Sequence, residues 1–231
     1  MSVVVNFGTK HGRDEDDCEA YRVDNLRVEA PDALFREYDS ESFDGPQGSY
    51  GGVVFNDQGH AIKFARSKML LGDEEPYNTC IASKRGYAPE FYDAWKVKDN
   101  YDDEYYAIDM EKYDITLYDY IHRPANPADD ADVDASLADV VTQMSHERAC
   151  HYDLHCLNTM LKRNGDGHYI VKAIDWMRSD FGAKVCERPL FFDHEMEQVL
   201  GGDAFKSRFP KTRQAVIDKL HAEDAAWQKG S

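Results

Sequence analysis

Between the glycine cluster at 45–52 and about residue 110 the chain reads mainly as strands, and helical segments follow beyond it. A β-rich first half and a helical second half point to an α+β fold in two lobes. Gly45, Gly48, Gly51 and Gly52 punctuate the approach to the apolar run Val53-Val54-Phe55. The turn residues Asn56-Asp57-Gln58-Gly59 then predict a hairpin to a second strand over 60–65. A helix is expected after Pro76, ending near Arg85 and closed by Gly86. Residues 90–97 and 104–110 alternate as two more strands. Short helices are expected over 30–38 and 116–122. The Pro-, Ala- and Asp-rich stretch 124–134 reads as a linker, with a helix after it over 135–148. Residues 159–163 and 168–175 form a second expected hairpin around Asn164-Gly165-Asp166-Gly167. Beyond 191 the pattern is helical, broken at Gly201-Gly202. At 231 residues the chain divides as an N-terminal extension (1–40), a β-rich lobe (41–110) and a helical lobe (111–231).

Charge narrows the partners. Twenty-seven Lys and Arg stand against 44 Asp and Glu, a net charge of −17, so the chain repels phosphate backbones and nucleic-acid binding is not expected. Basic protein segments or small cationic molecules suit such a surface. No stretch approaches the ~20 apolar residues of a membrane span, and the N-terminus carries only a short apolar run. Five cysteines (Cys18, Cys80, Cys150, Cys156, Cys186) are odd in number and hold no CxxC pair. They read as free thiols in a reducing compartment, and a cytoplasmic location is expected.

The densest chemical signal is Cys150-His151-Tyr152-Asp153-Leu154-His155-Cys156-Leu157-Asn158. A carboxylate at Asp153 and an amide at Asn158 can meet across a loop, one receiving a proton while the other holds a metal. Asp175 comes at the end of the apolar run 169–174, where a second hard oxygen ligand suits Mg²⁺. A zinc reading competes: His146, Cys150, His151, His155 and Cys156 crowd together, and His151 and His155 have i,i+4 spacing. The segment nevertheless misses H-E-x-x-H at its last position.

His151-x-Asp153-Leu154-x-x-x-Asn158 resembles the H-R-D-L-x-x-x-N catalytic loop of the protein-kinase-like superfamily. Upstream, Pro46-Gln47-Gly48-Ser49-Tyr50-Gly51-Gly52-Val53 is similar to that family's glycine-rich loop, with Pro46 in place of the first glycine. Ala61-Ile62-Lys63 resembles its V-A-I-K strand. The segment 107–113 looks like the hinge. Asp175 matches the aspartate of D-F-G; a literal Asp180-Phe181-Gly182 comes after Arg178-Ser179 rather than an apolar strand and is set aside. The resemblance covers about residues 43–200.

The resemblance implies a two-lobed kinase-like fold and ATP- and Mg²⁺-dependent phosphoryl transfer to Ser/Thr hydroxyls of a protein substrate. Gly48, Ser49, Tyr50, Gly51 and Val53 would cover the phosphates, and Lys63 would orient them behind Ala61. Met110 would be the gatekeeper, with the backbone of Glu111 and Tyr113 reading adenine. Asp153 would take the hydroxyl proton, and Asn158 and Asp175 would hold Mg²⁺. His155 would act as a donor to the transferring phosphoryl group. H-x-D-L-H-x-x-N is also similar to aminoglycoside- and choline-type phosphotransferases, so a small-molecule acceptor stays open, as does a catalytically dead binding module. The glutamate that should clamp Lys63 is open as well: Glu74 and Glu75 precede Pro76 and would stand at a helix start, not mid-helix.

Overall fold

The computed structural model describes residues 15–29, 47–48, 51–55, 59–66, 74–98, 104–182 and 191–230. The helix expected over 30–38, together with Ser49, Tyr50 and Cys186, lies outside these residues. The architecture is α+β.

Strands β1 (Val28–Glu29), β2 (Gln47–Gly48), β3 (Gly51–Phe55), β4 (His60–Arg66), β5 (Phe91–Lys98) and β6 (Glu104–Glu111) form one sheet. Their order is β1-β5-β6-β4-β3-β2. Every neighbouring pair is antiparallel except β1 and β5, which run parallel. Residues of the expected N-terminal extension therefore supply an edge of this sheet. The alternation that announces the strands sorts their side chains. Ala61, Ala65, Tyr106, Ile108 and Met110 bury one face, while Val54, Ile62 and Ala107 bury the other. Register does the rest: Val53 pairs with Lys63 and Lys63 with Ile108, so these three side chains share a face.

Helix α1 (Glu75–Lys84) connects β4 to β5. It stops where expected, with Gly86 in the left-handed region (φ 86°), which glycine adopts without strain. The segment Glu15–Tyr21, a 3₁₀ helix, packs on α1, and Cys18 and Cys80 form a disulfide across that contact. Cys150 is disulfide-bonded too. The expectation of five free thiols is thus corrected; among the described residues Cys156 alone stays outside a disulfide. An odd count without CxxC spacing says nothing about pairs that the fold brings together from 62 residues apart. The thiol argument for a reducing compartment falls with it.

Beyond β6, β7 (Ile115–Thr116) leads into α2 (Leu117–Ile121), whose N-cap Thr116 accepts from the Asp119 amide. Helix α3 (Pro127–His146) is next. The expected linker over 124–134 is corrected here, because α3 begins inside it. Asn126 caps the Ala128 amide, Pro127 occupies the first turn, and Asp129 and Asp130 complement the helix dipole. The stretch with a spacer's composition is a well-formed helix start. Strand β8 (Ala149–Cys150) leads to β9 (Thr159–Arg163) and β10 (Tyr169–Ala173), the second expected hairpin. These last two join β7 in a three-stranded sheet, and β11 (Asp180–Phe181) pairs with β8. Helices α4 (Phe191–Leu200), α5 (Gly202–Arg208) and α6 (Pro210–Gly230) complete the described chain, broken at Gly201 as expected.

A second core gathers around α3, with Val133, Leu137, Val141 and Met144 packed among Leu117, Leu161, Val171, Trp176 and Phe209. Two buried aspartates of α3 fix the C-terminal helices. Asp130 takes a two-point ion pair from Arg208 (3.0 and 2.8 Å) and a hydrogen bond from Tyr120 Oη. Asp134 accepts the Lys211 and Thr212 amides and so caps α6.

Candidate active site

Strand β4 presents Lys63 on the face shared with Val53 and Ile108, towards the start of α1 and the end of β10. Its ammonium lies 2.5 Å from Glu75 Oε1 and 3.0 Å from Asp175 Oδ1. Carboxylates 12 and 112 positions away in the chain thus converge on one charge. Glu75 does stand at the helix start, and that position favours it: a carboxylate there meets the positive end of the helix dipole. It is 1% exposed, and its second oxygen accepts from Tyr106 Oη at 2.9 Å. Burial alone would lower the Lys63 pKa, but the two carboxylates outweigh it and hold the ammonium well above the ordinary lysine range. Burial alone would likewise raise Asp175, yet the Lys63 charge prevails and keeps its carboxyl below the ordinary aspartate value.

Asp175, just past β10, takes the left-handed conformation (φ 66°, ψ 57°), which turns the chain into the 3₁₀ turn Trp176–Arg178. Asp is among the few residues that adopt this region readily. Trp176 is fully buried, stacks between Tyr87 and Phe181, and donates its indole N–H to Ala173 O. From the other side, Asn78 of α1 donates to Trp176 O at 3.1 Å. The turn is held from α1 as well as from its own strand. Asp180, in the literal Asp-Phe-Gly, is exposed on β11 and paired with Cys150, whereas Asp175 faces Lys63.

The loop between β8 and β9 carries the remaining groups. His151 is buried and donates from Nε2 to Ile174 O at 2.8 Å, tying this loop to the residue before Asp175. Burial pushes its pKa down to about 4, so the ring is neutral near pH 7. Asn158 Nδ2 donates to Asp153 O at 3.0 Å, and Asn158 O accepts from the Ile174 amide at 2.9 Å. The amide side chain thereby shapes the loop that displays the exposed Asp153 carboxylate. His155 Nδ1 accepts the Leu157 amide at 3.2 Å. One nitrogen of the ring expected to face phosphate therefore caps its own loop.

At the rim, Met110 is buried beside Ala61, its partner across the β4–β6 ladder. The Glu111 amide donates to Glu90 O and its side chain pairs with Lys162 at 3.0 Å, while Tyr113 is buried. Gly48 pairs with Gly51 at the end of the β2–β3 hairpin. A cavity of about 350 Å³ lies beside this group, not at Lys63; it is lined by Arg22, Glu74, Tyr77, Asn78, Tyr152 and Met177, with Ser179.

Of the two expected metal ligands, Asp175 pairs through Oδ1 with Lys63, and Asn158 donates from Nδ2 to Asp153 O. One carboxylate and one amide oxygen suit Mg²⁺, which keeps waters and phosphate oxygens in its remaining positions. Among the described residues no group of three or more His, Cys, Asp or Glu could hold a metal. The zinc reading also loses a member, since Cys150 is in a disulfide. Sequence reasoning missed Tyr106 and Asn78, the two groups that fix Glu75 and the Trp176 turn. For Tyr106 a signal exists: it shares a strand face with Ile108 and Met110, and a buried tyrosine hydroxyl needs an acceptor.

No family model and no curated protein matches this chain. Among the described residues, no helix is long and apolar enough to cross a membrane.

Proposed function

We propose that this chain is a phosphotransferase of the protein-kinase-like superfamily, its sheet and its α3-centred core forming the two lobes of that fold. It transfers the γ-phosphoryl group of ATP to Ser/Thr hydroxyls of a protein substrate. The observation that carries the reading is the convergence of Lys63, Glu75 and Asp175, drawn from a strand, a helix start and a strand end that no local motif obliges to meet.

In this reading Lys63, kept charged and aimed by Glu75, binds the phosphates, and the β2–β3 hairpin covers them. Glu111 and Tyr113 present backbone groups to adenine. Asp175 and Asn158 hold Mg²⁺, which supplies charge neutralisation across the phosphates. Asp153 accepts the acceptor's hydroxyl proton as that oxygen bonds to the γ-phosphorus and the bond to the departing ADP breaks. His151 keeps the loop in register with Asp175 through Ile174 O. The net charge of −17 favours acceptor hydroxyls flanked by basic residues.

The test is labelled-phosphate transfer from γ-³²P-ATP with Mg²⁺ to a basic protein mixture and to a panel of aminoglycosides. Wild type is compared with Asp153→Asn. Label on protein, reduced about 10²–10⁴-fold in the variant, supports the proposal. Label on a small molecule moves the acceptor to that class. No label and no Mg·ATP-dependent thermal shift in wild type overturns the enzyme reading.

A further inference from the structure

The segment Glu15–Tyr21 and the residue after it touch helix α1 along its whole length. At the start of the helix, Arg22 lies 3.6 Å from Glu74 and its guanidinium sits 4.0 Å over the Tyr77 ring. At its end, Asp17 approaches Lys84 at 3.5 Å. Midway, Cys18 and Cys80, 0% and 3% exposed, are joined by the disulfide and packed with Ile81, Tyr21 and Phe91. The flanking ion pairs are long, each has a partner well exposed to solvent, and both are weak. The apolar patch beneath is small. The covalent bond is therefore the tie.

What it ties down is the helix that opens on Glu75 and donates from Asn78 to Trp176 O. Both sides of the Lys63 ion pair depend on where α1 lies. We propose that the Cys18–Cys80 disulfide is a brace that sets α1, and with it Glu75, against Lys63, so that opening it weakens nucleotide binding at this site. The nucleotide half of this inference rests on the phosphotransferase reading; the brace does not. An external dithiol opens it by delivering two electrons and two protons: the S–S bond breaks, Cys18 and Cys80 become thiols, and the dithiol closes into its own disulfide.

The test uses the full chain in three forms: oxidised wild type, wild type reduced with dithiothreitol, and Cys18→Ala/Cys80→Ala kept without reductant. Peptide mapping without reduction must recover a cross-linked 18–80 peptide; its absence overturns the brace. Hydrogen exchange over 75–84 is expected to rise in both opened forms while 133–144 in α3 keeps its protection. The dissociation constant for Mg·ATP, from thermal shifts, is expected to rise about fivefold or more in the double variant. Unchanged exchange over 75–84 overturns the brace whatever the nucleotide result. Raised exchange with unchanged ATP affinity overturns the link to the site. If oxidised wild type binds no Mg·ATP, the phosphotransferase reading falls, and the exchange measurement alone decides the brace. Should the double variant fail to fold, reduced and reoxidised wild type gives the same two readouts, with recovery on reoxidation required.

Discussion

A carboxylate 1% exposed must find partners inside the protein or give up its charge, and Glu75 meets Lys63 and Tyr106. Tyr106→Phe removes the second of these donors from a buried carboxylate. Urea denaturation at pH 7 is expected to show a loss of about 1–3 kcal/mol, with little change in the far-UV spectrum. His151 makes a prediction of the opposite kind, since it is buried without charge. Its folded pKa of about 4 lies below the ordinary 6.5, so its contribution is complete above pH 6.5. Between those values the unfolded chain binds a proton that the folded chain refuses. Stability therefore falls on acidification, by at most about 1.4 kcal/mol per pH unit from this group. Chemical denaturation from pH 7 to 4 is expected to show a shallower decline in His151→Asn. Lys63 and Asp175 are legible in the sequence because each closes or punctuates an apolar strand. Glu75 is not, because charge alone does not choose among surface carboxylates. Asn78 gives no signal: its acceptor is a main-chain carbonyl 98 residues away.

Elements read from periodicity fare according to length. Strands β3 to β6, α1 and the β9–β10 hairpin stand where alternation and turn residues put them. The two-residue strands β1, β2, β7, β8 and β11 are too short to carry a period, and only their partners define them. Helix α3 shows how composition misleads: Pro, Ala and Asp together suggest a spacer, yet in the order Asn-Pro-Ala-Asp-Asp they cap and charge a helix start. Asp130 of this first turn also acts at a distance, where α5 docks on α3. Asp130→Ala strands the Arg208 guanidinium, which is 13% exposed, and is expected to destabilise the protein by about 3–5 kcal/mol. Pairing Asp130→Leu with Arg208→Met is expected to recover most of that loss, because the uncompensated charge is gone. Equilibrium urea curves on the two variants check it.

For the whole molecule, a net charge of −17 acts on the two proposed substrates with opposite sign. Screening eases the approach of anionic nucleotide and weakens the pull on a basic acceptor. Raising ionic strength from about 0.02 to 0.15 M is expected to speed ATP association in stopped flow and to raise KM for a basic acceptor. Equal responses for both would remove the electrostatic argument for a cationic acceptor. Sequence alone conveys the order of β-rich and helical halves, but not that an N-terminal strand returns to the far edge of the sheet. That edge also gives the molecule a timetable. Strand β6 alone bonds to both β4 and β5, so it joins the hairpins made before it to the β1–β5 pair. During synthesis the β2–β3–β4 strands and the β1–β5 pair, the latter closing a loop of more than 60 residues, have nothing to unite them until residues 104–111 arrive. Closure of the sheet is then a single late event. Pulse-labelled refolding should see β1, β4 and β5 gain protection together, and no nascent chain ending before β6 should hold the Lys63 face in place.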